Sequence, residues 1–140
     1  MLLISGSSGF IGSNLKIILK SKKIKFKVIK TREIKSKNKN FFKGTKYFIH
    51  LGFNFYKKET TLKNDSNLNI LKFLIKKAEN HNFKIIFAST ASYKYRGKNK
   101  IISKNIYPLN LYSQSKINCE KLLENSFKKK KTDITILRIF

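Results

Sequence analysis

The chain has 140 residues, enough for one domain with one core. Hydrophobic residues make up 41% and include 12 Phe, which argues against a disordered chain, and no run reaches the roughly 18 apolar residues that a bilayer span needs. The net charge of +25 raises a nucleic-acid or anionic-surface binder, but the basic residues are spread from Lys16 to Arg138, are nearly all Lys, and concentrate only in KKKK at 128–131.

Bidentate readers of bases and phosphates are usually Arg-rich, and Arg stands here only at 32, 96 and 138. Ile, Asn and Phe are also abundant and share A/T-rich codons with Lys, so coding bias is a sufficient cause of the charge. Non-specific sticking at low salt is expected in any case.

In chain order, MLLIS is a short apolar run that ends in Gly6. Residues 10–22 place Phe10, Ile11, Leu15, Ile18 and Leu19 at helical spacing. KFKVIKT, 25–31, reads as a strand with Phe26, Val28 and Ile29 for the core. This is a β-α-β unit of about 30 residues, the unit of parallel sheets. Residues 33–46 are polar and Lys-rich, with Phe41–Phe42 as a short edge strand. KYFIHLGF, 46–53, is a strand of the buried type. Residues 62–80 set Leu68, Leu71, Leu74, Ile75 and Ala78 on one helical face. FKIIFAST, 83–90, is a strand that ends in small hydroxyl residues. A loop containing Gly97 and Pro108 leads to a helix at 110–128 with Leu111, Ile117, Leu122, Leu123 and Phe127 as its apolar positions. ITILRIF, 134–140, is the last strand. The pattern predicts a doubly wound, Rossmann-like parallel α/β sheet in a single domain over 1–140.

Gly6, Gly9 and Gly12 are half of the chain's six glycines and lie three residues apart between the first strand and the first helix. A strand-to-helix turn there needs positive φ, and a pyrophosphate needs a backbone without side chains in its way. The free N–H groups of the helix start would face the anion. A tight turn without a ligand is the plainer alternative, but the strand before and the strand after support a dinucleotide site.

The stretch GSSGFIGSNL resembles the opening of the NAD-dependent epimerase/dehydratases, the extended short-chain dehydrogenase/reductases. Gly6, Gly9, Phe10, Ile11, Gly12, Ser13 and Leu15 all match. Three further stretches follow in family order and make the resemblance cover essentially the whole chain. IHLG, 49–52, resembles the end of the fourth family strand, where His50, Leu51 and Gly52 would border the cofactor ribose. FAST, 87–90, resembles the strand whose last hydroxyl is catalytic, which maps onto Thr90. PLNLYSQSK, 108–116, resembles the Y-x-x-x-K stretch, which maps onto Tyr112 and Lys116. The resemblance implies that Gly6, Ser8, Gly9, Phe10, Ile11 and Gly12 bind the cofactor, and that Tyr112 and Lys116 also touch it.

A lone Y-x-x-x-K carries little weight in a chain this rich in Lys, where about one such pair arises by chance. Its place after the hydroxyl-ended strand gives it value. One helical turn puts Lys116 on the face of Tyr112. A nearby ammonium favours the phenolate and lowers the phenol pKa from about 10. Tyr112 could then take a proton from a sugar hydroxyl while Thr90 orients that oxygen. A half-buried Tyr112, a solvated Lys116 and a strand-end capping Thr90 are the structural alternatives.

Dehydratases of the family carry an Asp-Glu pair after the catalytic Thr, and Ala91 and Ser92 stand there instead. This leaves 4-epimerisation or 4-keto reduction of a nucleotide-sugar. The end of the second strand lacks the Asp that NAD enzymes use, and Arg32 with Lys30 favours the 2′-phosphate of NADP over NAD, with Glu33 slightly late to serve as the acid.

Two features depart from the family. The third strand and its helix are shortened or absent, and the chain stops at Phe140, before the smaller C-terminal lobe that holds the nucleotide-sugar. The readings that remain are a part of a nucleotide-sugar enzyme, a non-catalytic dinucleotide-binding module that needs a partner chain, and the basic binder. A homodimer through the helix of Tyr112 is a further expectation. The start MLLISGSSGF lacks the features of a signal peptide, and Cys119, the only cysteine, points to helix packing in a reducing cytoplasm. Asn64-Asp65-Ser66 is a glycosylation sequon without other signs of secretion, and His50 and His81 are too far apart for a metal site, so none is expected.

Overall fold

The computed structural model describes residues 1–54, 65–95, 106–108, 110–129 and 132–139. Its strands are β1 (Leu2–Ser5), β2 (Phe26–Ile29), β3 (Tyr47–His50), β4 (Lys84–Thr90), β5 (Tyr93–Tyr95), β6 (Ile106–Pro108) and β7 (Ile134–Ile139). Five of them form a parallel sheet in the order β2-β1-β3-β4-β7. Three helices flank it: α1 (Phe10–Ser21), α2 (Ser66–His81) and α3 (Leu111–Lys128). A short antiparallel ladder joins β5 to β6 in place of the expected plain loop. Gly97, Asn64, Lys130, Lys131 and Phe140 lie outside the described residues.

Handedness explains the layers. The β1-α1-β2 crossover moves one way along the sheet and β3-α2-β4 moves the other way. Right-handed crossovers therefore put α1 and α2 on opposite faces, and the order reverses between β1 and β3. The α2/α3 face carries the main core, with Leu3, Phe48, Ile85 and Phe87 from the strands packed on Leu71, Leu74 and Leu123. Leu68, Leu71, Leu74, Ile75 and Ala78 do form the inner face of α2, whose first turn is capped by Asp65. Asn82 ends that helix in the left-handed conformation, with φ of +51°. Asn110 and Ser113 make a reciprocal capping box at the start of α3.

Three expectations are corrected. Phe41 and Phe42 are not an edge strand: two 3-10 helices, Thr31–Ser36 and Lys39–Phe42, fill the space between β2 and β3. Phe42 is fully buried and stacks on Phe48 and Phe83 at 6.4 and 6.1 Å, so its side chain is a core plug that strand geometry would have pointed elsewhere. On α1, Phe10 is 86% exposed and Ile18 is exposed as well, because Gly12 and Leu19 are its buried residues. Val28 is exposed rather than in the core, and it lines a cavity described below.

Candidate functional site

The point where the strand order reverses is where the glycines lie. Gly6 ends the first strand with φ of +73°, a left-handed conformation that favours glycine. A Cβ on Gly6 would stand 2.6 Å from Gly52 Cα, so the ends of β1 and β3 meet backbone to backbone. A Cβ on Gly12 would stand 2.7 Å from Ser7 Cα, because the first turn of α1 leans on the turn before it. Gly9 differs: its nearest neighbour would be Gly6 O at an ordinary 3.6 Å. The fold itself needs Gly6 and Gly12, and it leaves Gly9 bare. No acidic residue lies in the first turn of α1, so its amide dipoles face solvent uncompensated.

A cavity of about 490 Å³ opens beside this turn. It runs from Gly6, Ser7 and Ser8 past Val28 to Lys30, Arg32 and Phe41. Glu33 stands in the cavity wall and its two carboxylate oxygens reach Lys30 and Lys37, each at 3.8 Å. Lys37 also lies 5.4 Å over the Phe41 ring. Phe10 and Ile11 begin α1 at the surface. The fit to a dinucleotide is a matter of shape and donors: a bare backbone at Gly9, the first-turn N–H groups of α1, and cations in the cavity wall.

Neither His50 nor Gly52 lines this cavity. His50 is 2% exposed and shares a 2.5 Å hydrogen bond between Nδ1 and Ser5 Oγ. Burial, helped by the charge of Lys116, pulls its imidazole down to about 3, so the ring is neutral and structural. The ring is held inside the fold by Ser5, and residues 50–52 lie at the end of β3 beside the end of β1. Leu51 N donates to Ser5 O at 3.1 Å, and a Cβ on Gly52 would strike the Thr31 side chain.

Thr90, Tyr112 and Lys116 converge at the C-terminal end of β4. The Thr90 side chain hydrogen-bonds the Tyr112 hydroxyl. Lys116 Nζ lies 5.7 Å from the Tyr112 ring centroid and donates to Ala88 O at 2.6 Å. Lys116 is not solvated as the structural alternative has it, being 3% exposed. Burial pulls its ammonium down to about 8, against opposing pulls from Cys119 and Glu120. The phenol behaves differently from the expectation. Burial raises the Tyr112 pKa and the Thr90 hydrogen bond only partly opposes this, so the protein alone holds a neutral phenol.

Several contributors have no motif. Asp65 is 2% exposed; its Oδ1 accepts from Asn67 N and Leu68 N, and its Oδ2 accepts from Ser115 Oγ at 2.6 Å. It ties the start of α2 to the residue before Lys116. Asn67 clamps Asn54, accepting from its N–H at 2.8 Å and donating to its carbonyl at 3.1 Å. Glu120 holds Arg138 bidentately, at 2.7 Å from Nη2 and 3.1 Å from Nε, and so fastens α3 to β7. Of these, only Asp65 had a sequence signal, as a helix-capping residue before an apolar-periodic run. Cys119 is buried beneath the same helix, and its thiol is pushed up to about 12, chiefly by burial, which makes it unreactive.

A doubly wound sheet with a glycine turn at its switch point, and a Thr/Tyr/Lys cluster at the C-terminal end of β4 on the same sheet edge, defines a Rossmann dinucleotide-binding domain of the short-chain dehydrogenase/reductase kind. A profile of the NAD dependent epimerase/dehydratase family matches residues 2–140, and the chain belongs to that family. No curated protein matches it. Among solved structures it resembles a monomeric L-threonine 3-dehydrogenase from a metagenome, with a TM-score of 0.79 and 23% identity over 99% of this chain and 53% of that one. It also resembles a UDP-N-acetylglucosamine 4-epimerase from Methanobrevibacter ruminantium M1, with a TM-score of 0.75 and 20% identity over 98% of this chain and 53% of that one. The Thermus thermophilus UDP-glucose 4-epimerase, solved with NAD, gives a TM-score of 0.77 and 18% identity over 98% and 54%. At these identities the likeness shows the fold, and the chain spans about half the length of these proteins. No helix among the described residues is long and apolar enough to cross a membrane.

Proposed function

We propose that the chain is the cofactor-binding part of an NAD(P)-dependent nucleotide-sugar epimerase or 4-keto reductase. One observation carries this reading: Thr90, Tyr112 and Lys116 meet at the C-terminal end of β4, on the same edge of the parallel sheet as the glycine turn that follows β1. Gly6, Ser8, Gly9 and Gly12 with the start of α1 would hold the pyrophosphate, and Lys116 the nicotinamide ribose. The nicotinamide, when bound, supplies hydride acceptance and donation at a sugar carbon. Tyr112 takes the proton of the sugar hydroxyl, and Thr90 keeps the phenol oxygen aimed at it. Burial raises the Tyr112 pKa in the protein alone, so the Lys116 ammonium and the positive nicotinamide ring, when bound, would together have to favour the phenolate. Ala91 and Ser92 in place of an Asp-Glu pair favour epimerisation or reduction over dehydration.

NADP is the favoured cofactor, since Lys30, Arg32 and Lys37 line the cavity and could meet a 2′-phosphate. A homodimer through α3 and a cytoplasmic setting complete this reading, the latter in keeping with a single buried thiol. A second reading rests on the spanned length: the chain is a non-catalytic module that binds a dinucleotide and receives the substrate lobe from a partner chain. Titration with NADPH and NADH, read by nicotinamide fluorescence, tests the shared premise. Saturable binding that is lost in Gly9→Asp supports both readings. UDP-hexose turnover by the purified chain then selects the first, and binding without turnover the second.

A further inference from the structure

Phe53 stands between two fixed points. Before it, Gly52 is packed against Thr31 at the end of β3. After it, Asn54 is held on both sides of its peptide by the Asn67 amide, and its own side chain donates to Ser66 Oγ at 3.4 Å. The ring of Phe53 is thereby directed at the reacting pair. It meets Tyr112 edge to face, with centroids 4.8 Å apart and planes at 74°. Lys116 Nζ lies 5.0 Å from the Phe53 centroid and 4.7 Å from that of Phe87, with its hydrogen bond to Ala88 O alongside. Phe53 has no part in the main core cluster among the described residues. Its ring contacts include both Tyr112 and Lys116.

We propose that Phe53 is a positioning residue for the Tyr112–Lys116 pair, with Asn67 as its anchor on α2. An edge-to-face ring fixes the plane of the phenol more narrowly than an aliphatic contact does. The same ring covers Lys116 and keeps its ammonium on the Ala88 carbonyl, within reach of the phenol. The inference rests on the reading above that this pair faces the nicotinamide ribose, and it is tested separately from that reading.

The experiment compares the natural chain with Phe53→Leu, which keeps apolar volume without a ring, and with Phe53→Tyr, which keeps the ring. Each is labelled with 3-fluorotyrosine, and the fluorine signal of Tyr112 is assigned by its loss in Tyr112→Phe. Phe53→Leu should move that signal, Phe53→Tyr should restore it, and the melting temperature should change little. A Tyr112 signal that is the same in Phe53→Leu overturns the proposal even if the chain binds no nucleotide. Where the chain binds, Phe53→Leu should weaken NADH by about three- to tenfold, the equivalent of one aromatic pair. ADP, which lacks both the nicotinamide and its ribose, should change by less than about twofold. Equal losses for both ligands would mark Phe53 as general packing and sink the proposal.

Discussion

Replacing the three glycines of the β1–α1 turn one at a time should separate what the fold requires from what a ligand requires. At Gly6 an alanine must hold φ near +73°, which costs about 1–2 kcal/mol. Its Cβ must also clear Gly52 Cα at 2.6 Å and Leu51 C at 2.7 Å, and overpacking against backbone costs about 1–3 kcal/mol more. The expected loss for Gly6→Ala is about 3–4 kcal/mol. At Gly12 the Cβ would lie 2.7 Å from Ser7 Cα, again against backbone that cannot rotate away. Taking the upper end of the same range, and subtracting about 1 kcal/mol for the better helix propensity of alanine, leaves about 2 kcal/mol.

Gly9 is the informative case. It caps α1 with φ of −77°, which any residue can adopt, and a Cβ there has ordinary contacts only. Serine is itself a favoured capping residue, so Gly9→Ser should change stability by less than about 0.5 kcal/mol. The new side chain would nevertheless stand where a pyrophosphate must approach the backbone. Urea unfolding should therefore rank the losses as Gly6→Ala, Gly12→Ala, Gly9→Ser, while NADPH and NADH titrations should show Gly9→Ser binding at least about tenfold more weakly. A Gly9→Ser protein that is both stable and fully competent to bind would refute the assignment of this turn to a phosphate. One that is destabilised by more than about 1 kcal/mol would refute the steric account of Gly9.

Further outcomes follow from the buried groups. His50 is held near 3 against about 6.5 unfolded, so the unfolded chain binds more protons between these values and stability falls as pH drops through that window, by up to about 1.4 kcal/mol per pH unit. Urea midpoints measured from pH 7 to pH 4 should fall more steeply for the natural chain than for His50→Gln, and parallel curves would exclude His50 as the source. Asp65→Ala removes a helix cap, worth about 1 kcal/mol, and strands the buried Ser115 hydroxyl, for a total of about 2–4 kcal/mol. Asp65→Asn, which still caps, should lose less than half of that in the same unfolding assay, and equal losses would show that capping is not part of the effect. At the cavity, Arg32→Ala and Lys37→Ala should each weaken NADPH by about tenfold and NADH by less than about twofold. Equal losses for the two cofactors would assign the pocket to NAD.

Much of the architecture was legible because each parallel strand is a short apolar run and each helix has one apolar face. α2 shows this most plainly, with Leu71, Leu74, Ile75 and Ala78 where the periodicity puts them. The glycine turn was legible because its spacing and its place after a strand are local facts. Val28 and Phe42 were not legible. Both are apolar residues in Lys-rich stretches, and burial there depends on which neighbour is missing: the 3-10 segment drives Phe42 inward, while the cavity leaves Val28 open. The direction of the His50 ring was not legible either. A motif gives its position along the strand but not its direction, and alternation along β3 turns its ring with Phe48 into the α2/α3 face. The Asn54–Asn67 clamp and the Phe53 contact join residues 13 and 59 positions apart, and no periodicity encodes such pairs.

The charge balance supports the same division between scaffold and site. In a chain of net charge +25 with only seven acidic residues, surface carboxylates would be the simplest way to relieve repulsion between lysines. Three of the seven are used otherwise. Asp65 joins α2 to α3 beside Lys116, Glu120 fastens α3 to β7 through Arg138, and Glu33 lies between Lys30 and Lys37 at the cavity wall. Two of these carboxylates are almost completely buried, where an unpaired charge would be costly, so they are kept for geometry rather than for neutralisation. The lysines, by contrast, are spread over the sequence without a matching set of partners. A uniform coding pressure toward Lys accounts for that spread, whereas it does not account for carboxylates retained at the joints of a single cluster. Structural constraint in the charge pattern is therefore concentrated in a few groups, the three carboxylates Glu33, Asp65 and Glu120 with Lys116 and Arg138, which lie on or against the Tyr112–Lys116 helix or in the cavity wall.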